Sequence, residues 1–193
     1  LRRFSKIIVD FLVNVCYTVL MKILYNESAI AAEVKKLGSK IAADYADYKD
    51  NDSALLVIGV LKGAFVFMAD LVREIDTPCE IAFMTARSYG SEMVSSGTVE
   101  IAESPDIDIT GRDVIVVEDI LDTGRTLNRI CAVLRLKNPR SLKTCVFLDK
   151  KVARAEAFDA DYVCFSIEDE FVVGYGLDYD EKYRNLPYLA VVT

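Results

Sequence analysis

The chain has no histidine and no tryptophan in its 193 residues. Without histidine, a Ser-His-Asp or Cys-His nucleophilic mechanism is excluded, and proton transfer falls to Asp, Glu, Lys or Tyr. Proline and glycine are scarce, at 4 and 9 residues, and no linker, low-complexity tract or internal repeat interrupts the sequence. Beside 52% hydrophobic and 27% charged residues, that scarcity excludes a disordered or fibrous chain. The length suits one domain with a full core rather than two. The five cysteines, Cys16, Cys79, Cys131, Cys145 and Cys164, are odd in number and show no CxxC spacing. Four of them lie inside apolar segments, so they read as small buried residues of a reducing, cytoplasmic compartment. A disulfide framework or zinc site is not expected. Positive charge is also in deficit, with 23 Lys and Arg against 30 Asp and Glu and a pI near 4.8. The resulting field repels nucleic acid and excludes a broad non-specific nucleic-acid surface. It leaves room for an anionic substrate, because a local cradle with Mg²⁺ reverses the sign of the potential.

Long uncharged apolar runs are missing as well. Residues 1–21 come closest: Arg2 and Arg3 precede Ile7, Ile8, Val9, Phe11, Leu12, Val13 and Val15, the profile of a signal or anchor segment. Asp10 and Asn14 interrupt it, the clean part is shorter than a membrane span, and no small-residue cleavage site follows. Met21 is the expected natural start, with the preceding residues an upstream, non-native or disordered extension and residues 22–193 the working domain. No membrane association is expected.

Along that domain, strand-like and helical patterns alternate. Asn26-Glu27-Ser28 offers N-cap chemistry, and Ile30, Val34, Leu37, Ile41 and Tyr45 recur at helical spacing to an expected end near Tyr48. Residues 55–60, 80–85, 113–117, 142–148 and 162–167 are apolar runs of strand length. Helical stretches follow Ala64 and Thr126, the second with Leu127, Ile130, Cys131 and Leu134 on one face. Segments 171–174 and 188–192 close the chain. Residues 88–97 have little apolar periodicity and read as a mobile hairpin loop. Alternation of this kind predicts an α/β fold, a mostly parallel sheet flanked by helices on both faces. Ligands of such sheets bind at the carboxyl ends of the strands, so the loops after Val60, Val117 and Leu148 are expected to meet.

The most telling stretch is Val116-Val117-Glu118-Asp119-Ile120-Leu121-Asp122-Thr123-Gly124-Arg125-Thr126. A buried strand is expected to stop at the two adjacent carboxylates, followed by a turn with a third carboxylate, a Gly and two Thr, and then an amphipathic helix. Free N–H groups and a positive dipole collect at such a helix start, and a Gly lets the backbone close around a phosphate. Phosphate alone does not call for three neighbouring carboxylates; Mg²⁺, a sugar hydroxyl or both do. The loop therefore reads as a site for a phosphorylated sugar with metal.

This loop resembles the phosphoribosyl-pyrophosphate (PRPP) motif of type I phosphoribosyltransferases. Leu61-Lys62-Gly63-Ala64, Ser88-Tyr89-Gly90 and Val172-Val173-Gly174-Tyr175-Gly176-Leu177-Asp178-Tyr179 narrow the resemblance to the bacterial-type hypoxanthine-guanine phosphoribosyltransferases, over nearly the whole of residues 22–193. The resemblance implies that family's fold, with a small hood and a mobile hairpin loop. It also implies transfer of 5-phosphoribosyl from PRPP to N9 of hypoxanthine or guanine, giving IMP or GMP and pyrophosphate, with Mg²⁺ as cofactor. By carry-over the 5′-phosphate rests on Thr123, Gly124, Arg125 and Thr126. Glu118 and Asp119 hold ribose hydroxyls and metal, with Asp178 the second metal ligand. Asp122 lies near purine N7 as the acid/base. Lys62, Gly63, Ser88, Tyr89 and Arg184 serve pyrophosphate, and a cis peptide at Leu61–Lys62 is expected. Lys150 donates to purine O6, Phe171 stacks on the base, the Val172 backbone binds its edge, and Ile120 packs the other face. Arg154 is a candidate for pyrophosphate or for support around Lys150. Arg87 departs from the family pattern and is left between pyrophosphate and a neighbouring subunit. A homodimer or homotetramer is implied.

Bland roles compete for these residues. Glu118 and Asp119 could form a solvated turn, Asp122 could serve as an N-cap, and Phe171 could be plain core. A regulator of the same fold that binds PRPP or a nucleotide is the alternative function; the acidic charge and the Lys150, Val172 and Asp178 region disfavour it. A membrane-anchored accessory protein rests on residues 1–21 alone.

Overall fold

The computed structural model describes residues 21–47, 54–88, 99–102 and 108–192. Strand β1 (Met21–Tyr25) leads into helix α1 (Glu27–Asp44), whose N-cap Asn26 accepts the Ala29 N–H at 2.9 Å. Strand β2 (Leu55–Leu61), helix α2 (Phe65–Glu74), strand β3 (Cys79–Ser88) and the short β4 (Val99–Ala102) follow. Then come β5 (Asp113–Leu121), α3 (Arg125–Arg135), β6 (Ser141–Asp149), β7 (Tyr162–Ser166), β8 (Val172–Val173) and β9 (Leu189–Val192).

Six strands form one sheet in the order β4-β3-β2-β5-β6-β7. Five of them run parallel, and β4 joins antiparallel at the edge. The strands are apolar at consecutive positions because both faces are covered. Successive side chains alternate between two cores. Val57, Ile115, Val117, Cys145 and Phe147 pack with α1 and α2; Leu56, Ile58, Val114, Val116 and Val146 pack with Leu127, Ile130 and Leu134 of α3. The hood is a separate sheet, β1-β9-β8, antiparallel throughout. Its β8 side chains Val172 and Val173 are buried, which fixes the C-terminal segment over one end of the large sheet.

The parallel sheet, the two helical faces and the buried face of α3 match the sequence pattern. The first helix stops at Asp44, earlier than expected, because Tyr45 leaves helical geometry (φ −120°, ψ 30°) while its N–H still donates to Ile41. Strand β1 was not anticipated; it exists because β9 pairs with it from Met21↔Val192 onward. The larger correction concerns β5. The strand does not stop at the acid pair but continues to Leu121, since β6 beside it runs on to Asp149 and pairs Glu118↔Val146 and Leu121↔Asp149. The expected extension at residues 1–20 and the hairpin loop from Tyr89 to its tip lie outside the described residues. Among the described residues, no helix is long and apolar enough to cross a membrane.

Phe147 is wholly buried and meets the rings of Phe67, Phe165 and Tyr175 at centroid distances of 5.3, 5.7 and 4.8 Å. Phe147→Ala is expected to lower unfolding free energy by roughly 3–5 kcal/mol in urea titration, as for other large-to-small core changes. A loss below about 1 kcal/mol would mean that the aromatic cluster does not hold this face together.

Candidate active site

At the carboxyl end of the sheet, the loops after β2 and β5 and the hood enclose a cleft of about 580 Å³. Lys62, Gly63, Glu118, Asp119, Thr126, Asp178 and Arg184 line it together, with Ala86 near the end of β3. Residues from three separated motifs, with Arg184 beyond the last of them, thus converge as the parallel-sheet rule requires.

Glu118 and Asp119 arrive on the last turns of β5. Glu118 is 7% exposed, and burial followed by the neighbouring Asp119 charge pushes its carboxyl well above the ordinary range. Asp119 is raised to about 6, first by burial, against the lowering effect of the Ile120 N–H that it accepts at 3.0 Å. Neither carboxylate forms a salt bridge among the described residues. Gly63 explains how Asp119 fits: a Cβ there would lie 1.6 Å from Asp119 Oδ2, so any side chain would displace the carboxylate. The Leu61–Lys62 peptide beside it is cis, as the family resemblance implied.

Beyond β5 the chain turns through Asp122 and Thr123 into α3. Gly124 holds φ +84°, a left-handed conformation in which a Cβ is disfavoured, and it would in any case meet the Glu156 carbonyl at 2.8 Å. The first bond of α3 runs from the Asn128 N–H to the Gly124 carbonyl at 3.0 Å. The preceding N–H groups therefore have no carbonyl of their own helix to donate to, which makes this turn an anion cradle. Thr123 Oγ1 accepts the Arg125 N–H at 3.5 Å, and Thr126 faces the cleft.

The segment after β6 braces that turn from behind. Thr123 C=O accepts the N–H groups of Ala155 and Glu156 at 3.0 Å each, and Leu121 C=O accepts the Lys150 N–H at 3.0 Å. Arg154 donates from one Nη to the carbonyls of Leu121 and Asp122 at 3.1 and 2.6 Å, and from the other to Asp149. Arg154 thus braces the turn itself, a contact that differs from both roles the sequence left open to it, pyrophosphate binding and support around Lys150. Asp122 Oδ1 is buried with no hydrogen-bond partner among the described residues, as a group awaiting a ligand proton would be. It is not the N-cap of α3: that position is Gly124.

On the hood side, Arg184 donates to Gly176 C=O at 2.9 Å and pairs with Asp178 at 2.7 Å and Glu181 at 3.4 Å. Lys62 Nζ lies 3.0 Å from Glu181 Oε2. These partners lower the Glu181 carboxyl pKa, Lys62 most strongly. Lys150, Phe171, Val172 and Ile120 are not among the residues lining the cleft. Lys150 pairs with Asp169 at 2.9 Å, and Val172 is buried in β8. Phe171 is 53% exposed with Tyr179 edge-on at 5.6 Å, so it is not core, while Ile120 is half-buried against the α1–α2 side. Ser88 ends β3, and Tyr89 lies outside the described residues. Arg87 pairs in register with Glu100 of β4. Two participants escaped the sequence reading, Asp149 and Glu181. Asp149 carried a faint signal as an acid at a strand's end; Glu181 had none, sitting in an acidic run that looks like solvated surface.

A family model described as phosphoribosyl transferase domain matches residues 21–180. A hypoxanthine phosphoribosyltransferase of Salmonella typhimurium is 45% identical over 172 residues, 89% of this chain and 95% of that protein. A hypoxanthine-guanine phosphoribosyltransferase of Streptococcus agalactiae is 47% identical over 171 residues, covering 89% and 92%. Among solved structures, a Trypanosoma cruzi hypoxanthine phosphoribosyl transferase superposes with a TM-score of 0.85 at 40% identity, covering 92% of this chain and 93% of that one. A Bacillus anthracis hypoxanthine-guanine phosphoribosyltransferase gives 0.80 at 43% identity, covering 89% and 98%.

Because Asp119 is raised to about 6, the folded protein keeps this proton where the unfolded chain has released it. Stability therefore falls as pH rises from about 4 to 6, and the full cost of the buried charge is present above that window. Metal-free Asp119→Asn is expected to melt with the parent near pH 4 and above it by about pH 7, the gap opening through pH 6. Parallel melting curves across that range would show that Asp119 is not held in a desolvated state.

Proposed function

From the premise that the chain belongs to the phosphoribosyl transferase family, we propose how its own residues divide the work of the reaction. It is an enzyme with hypoxanthine/guanine phosphoribosyltransferase activity in purine salvage. The observation that carries the residue assignment is the turn between β5 and α3. The helix start there has first N–H groups with no carbonyl of their own helix to donate to, and Thr123 and Thr126 flank it. Asp122 has an oxygen with no hydrogen-bond partner among the described residues, a few residues beyond the acids Glu118 and Asp119 that line the cleft.

The N–H groups and hydroxyls of Thr123, Gly124, Arg125 and Thr126 receive the 5′-phosphate of PRPP. Glu118 and Asp119 accept the ribose hydroxyls and, as the C1–pyrophosphate bond lengthens, stabilise the cationic ribose electrostatically, as in glycoside hydrolysis. Lys62, the Gly63 backbone, Ser88, Tyr89 and Arg184 hold pyrophosphate. Asp122 exchanges a proton at purine N7 through Oδ1, which has no hydrogen-bond partner among the described residues. Lys150 donates to O6, a bond the amino group of adenine cannot accept. Phe171, exposed and edge-on to Tyr179, is free to stack on the base, with the Val172 backbone at its edge and Ile120 opposite.

The donor set fits Mg²⁺. Glu118, Asp119 and Asp178 are hard oxygen ligands, and a cation held there would offset the desolvation that raises the first two and would favour their ionised forms. The described residues contain no cluster of three or more potential side-chain ligands, which suits an ion that takes one or two carboxylates and completes its shell with water and substrate oxygens. When bound, Mg²⁺ neutralises charge on the departing pyrophosphate. We place the catalytic domain at residues 22–193 and infer a cytoplasmic homodimer or homotetramer. The unpaired thiols of Cys79, Cys131, Cys145 and Cys164 support a reducing compartment.

Mixing the protein with PRPP, Mg²⁺ and hypoxanthine or guanine is expected to change the purine absorbance as nucleotide forms; turnover of neither base would overturn the activity. Asp122→Asn is expected to lower kcat by roughly one to three powers of ten while PRPP still binds, the range of lost acid/base catalysis. An unaltered kcat removes Asp122 from the mechanism. Lys150→Ala is expected to raise KM for the purine more than for PRPP, and equal losses would exclude its role in reading O6.

A further inference from the structure

Glu181 sits in a tight turn whose strands are pinned by reciprocal Tyr179–Lys182 backbone bonds at 3.1 Å each. Its own N–H donates to Asp178 Oδ2 at 2.9 Å, and its φ of +61° is a left-handed conformation held by that turn. The turn aims one oxygen, Oε2, at two cations: Lys62 Nζ from the distant loop after β2 at 3.0 Å, and Arg184 Nη2, three residues along the same segment, at 3.4 Å. These are the side chains to which pyrophosphate has been assigned above, and both line the cleft.

We propose that Glu181 is a resident anion that occupies the pyrophosphate cations in the empty enzyme and competes with pyrophosphate for them. The chemistry is a plain exchange of partners. A diphosphate group needs the N–H donors of Lys62 and Arg184, and a carboxylate already bonded to them has to give them up. Once pyrophosphate is seated, its charge repels Glu181; as it leaves, Glu181 regains both cations and keeps the Lys62–Arg184 pair from holding the product. Arg184 is anchored independently by Gly176 and Asp178, so its position survives the exchange. Among the described residues the Lys62 ammonium has no second ion-pair partner besides Glu181, so it is free to follow the anion it holds. The Lys62–Glu181 pair is 66% and 65% exposed, so the competition is mild and reversible rather than a lock.

Inorganic pyrophosphate, titrated calorimetrically into the full-length protein with Mg²⁺, tests the proposal. Glu181→Gln keeps the backbone bond to Asp178 and removes only the charge. It is expected to bind pyrophosphate about two- to five-fold more tightly, the range for an exposed ion pair. KM for PRPP is expected to fall by a similar factor while KM for hypoxanthine stays constant, and Glu181→Asp, which keeps the charge, to stay nearer the parent. A residue that merely props the turn would weaken binding when altered, so unchanged or weaker pyrophosphate affinity in Glu181→Gln overturns the proposal. Lys62→Ala in the same titration separates the two layers. If it weakens pyrophosphate while Glu181→Gln leaves it unaltered, the assignment of Lys62 stands and competition by Glu181 is overturned. If it leaves pyrophosphate binding intact, the assignment and the proposal fall together.

Discussion

Two carboxylates, Glu118 buried and Asp119 half-buried, stand side by side near the end of a strand that is hydrogen-bonded on both edges, and the rest of the site is arranged around them. Strand β5 lies between β2 and β6, and its interior residues are fully enclosed by both cores. Because β6 runs as far as Asp149, β5 cannot splay outward at Glu118, and the acids are carried into the protein instead of into water. Removing them from water favours the protonated forms, which is why both are raised. An empty site of this kind holds unfavourable electrostatic energy, and substrate hydroxyls with a divalent cation relieve it.

The remaining parts keep that arrangement rigid. Gly63 admits the Asp119 carboxylate, and the Gly63 carbonyl in turn lies where a Cβ on Gly176 would stand, 2.2 Å away. The first loop, the central strand and the hood therefore interlock through two glycines, and neither contact tolerates a larger residue. Behind the phosphate turn, Arg154 gathers the carbonyls of Leu121 and Asp122 and the buried carboxylate of Asp149. A guanidinium suits this task because its planar fork serves several acceptors at fixed angles. With these carbonyls satisfied from behind, the turn is held in the conformation that opens the start of α3. The opposite pattern holds across the cleft, where Arg184 is already paired with Asp178 and Glu181, and Lys62 of the first loop with Glu181.

Much of this could be read along the chain. The helical spacing of Ile30, Val34, Leu37 and Ile41 named the buried face of α1, and Leu127, Ile130, Cys131 and Leu134 named that of α3. Strand runs in the central sheet were legible because strands covered on both faces are apolar at every position. Strand β1 was not, because its side chains are half exposed and its pairing is supplied by β9 from the other end of the chain. The continuation of β5 was hidden for a related reason: charged residues signal a strand's end unless a neighbour extends past them.

The sequence alone determined the chemistry of the phosphate turn, since a Gly between hydroxyls at a strand-to-helix junction is a local property of consecutive residues. It also determined that no histidine could act, and that acids must. Only the tertiary structure decided which acids lose their water, that Arg154 braces rather than binds, and that Glu181 bridges Lys62 and Arg184. Desolvation and ion pairing depend on distances between residues far apart in the chain, and those distances exist only once the sheet has set the order of its strands.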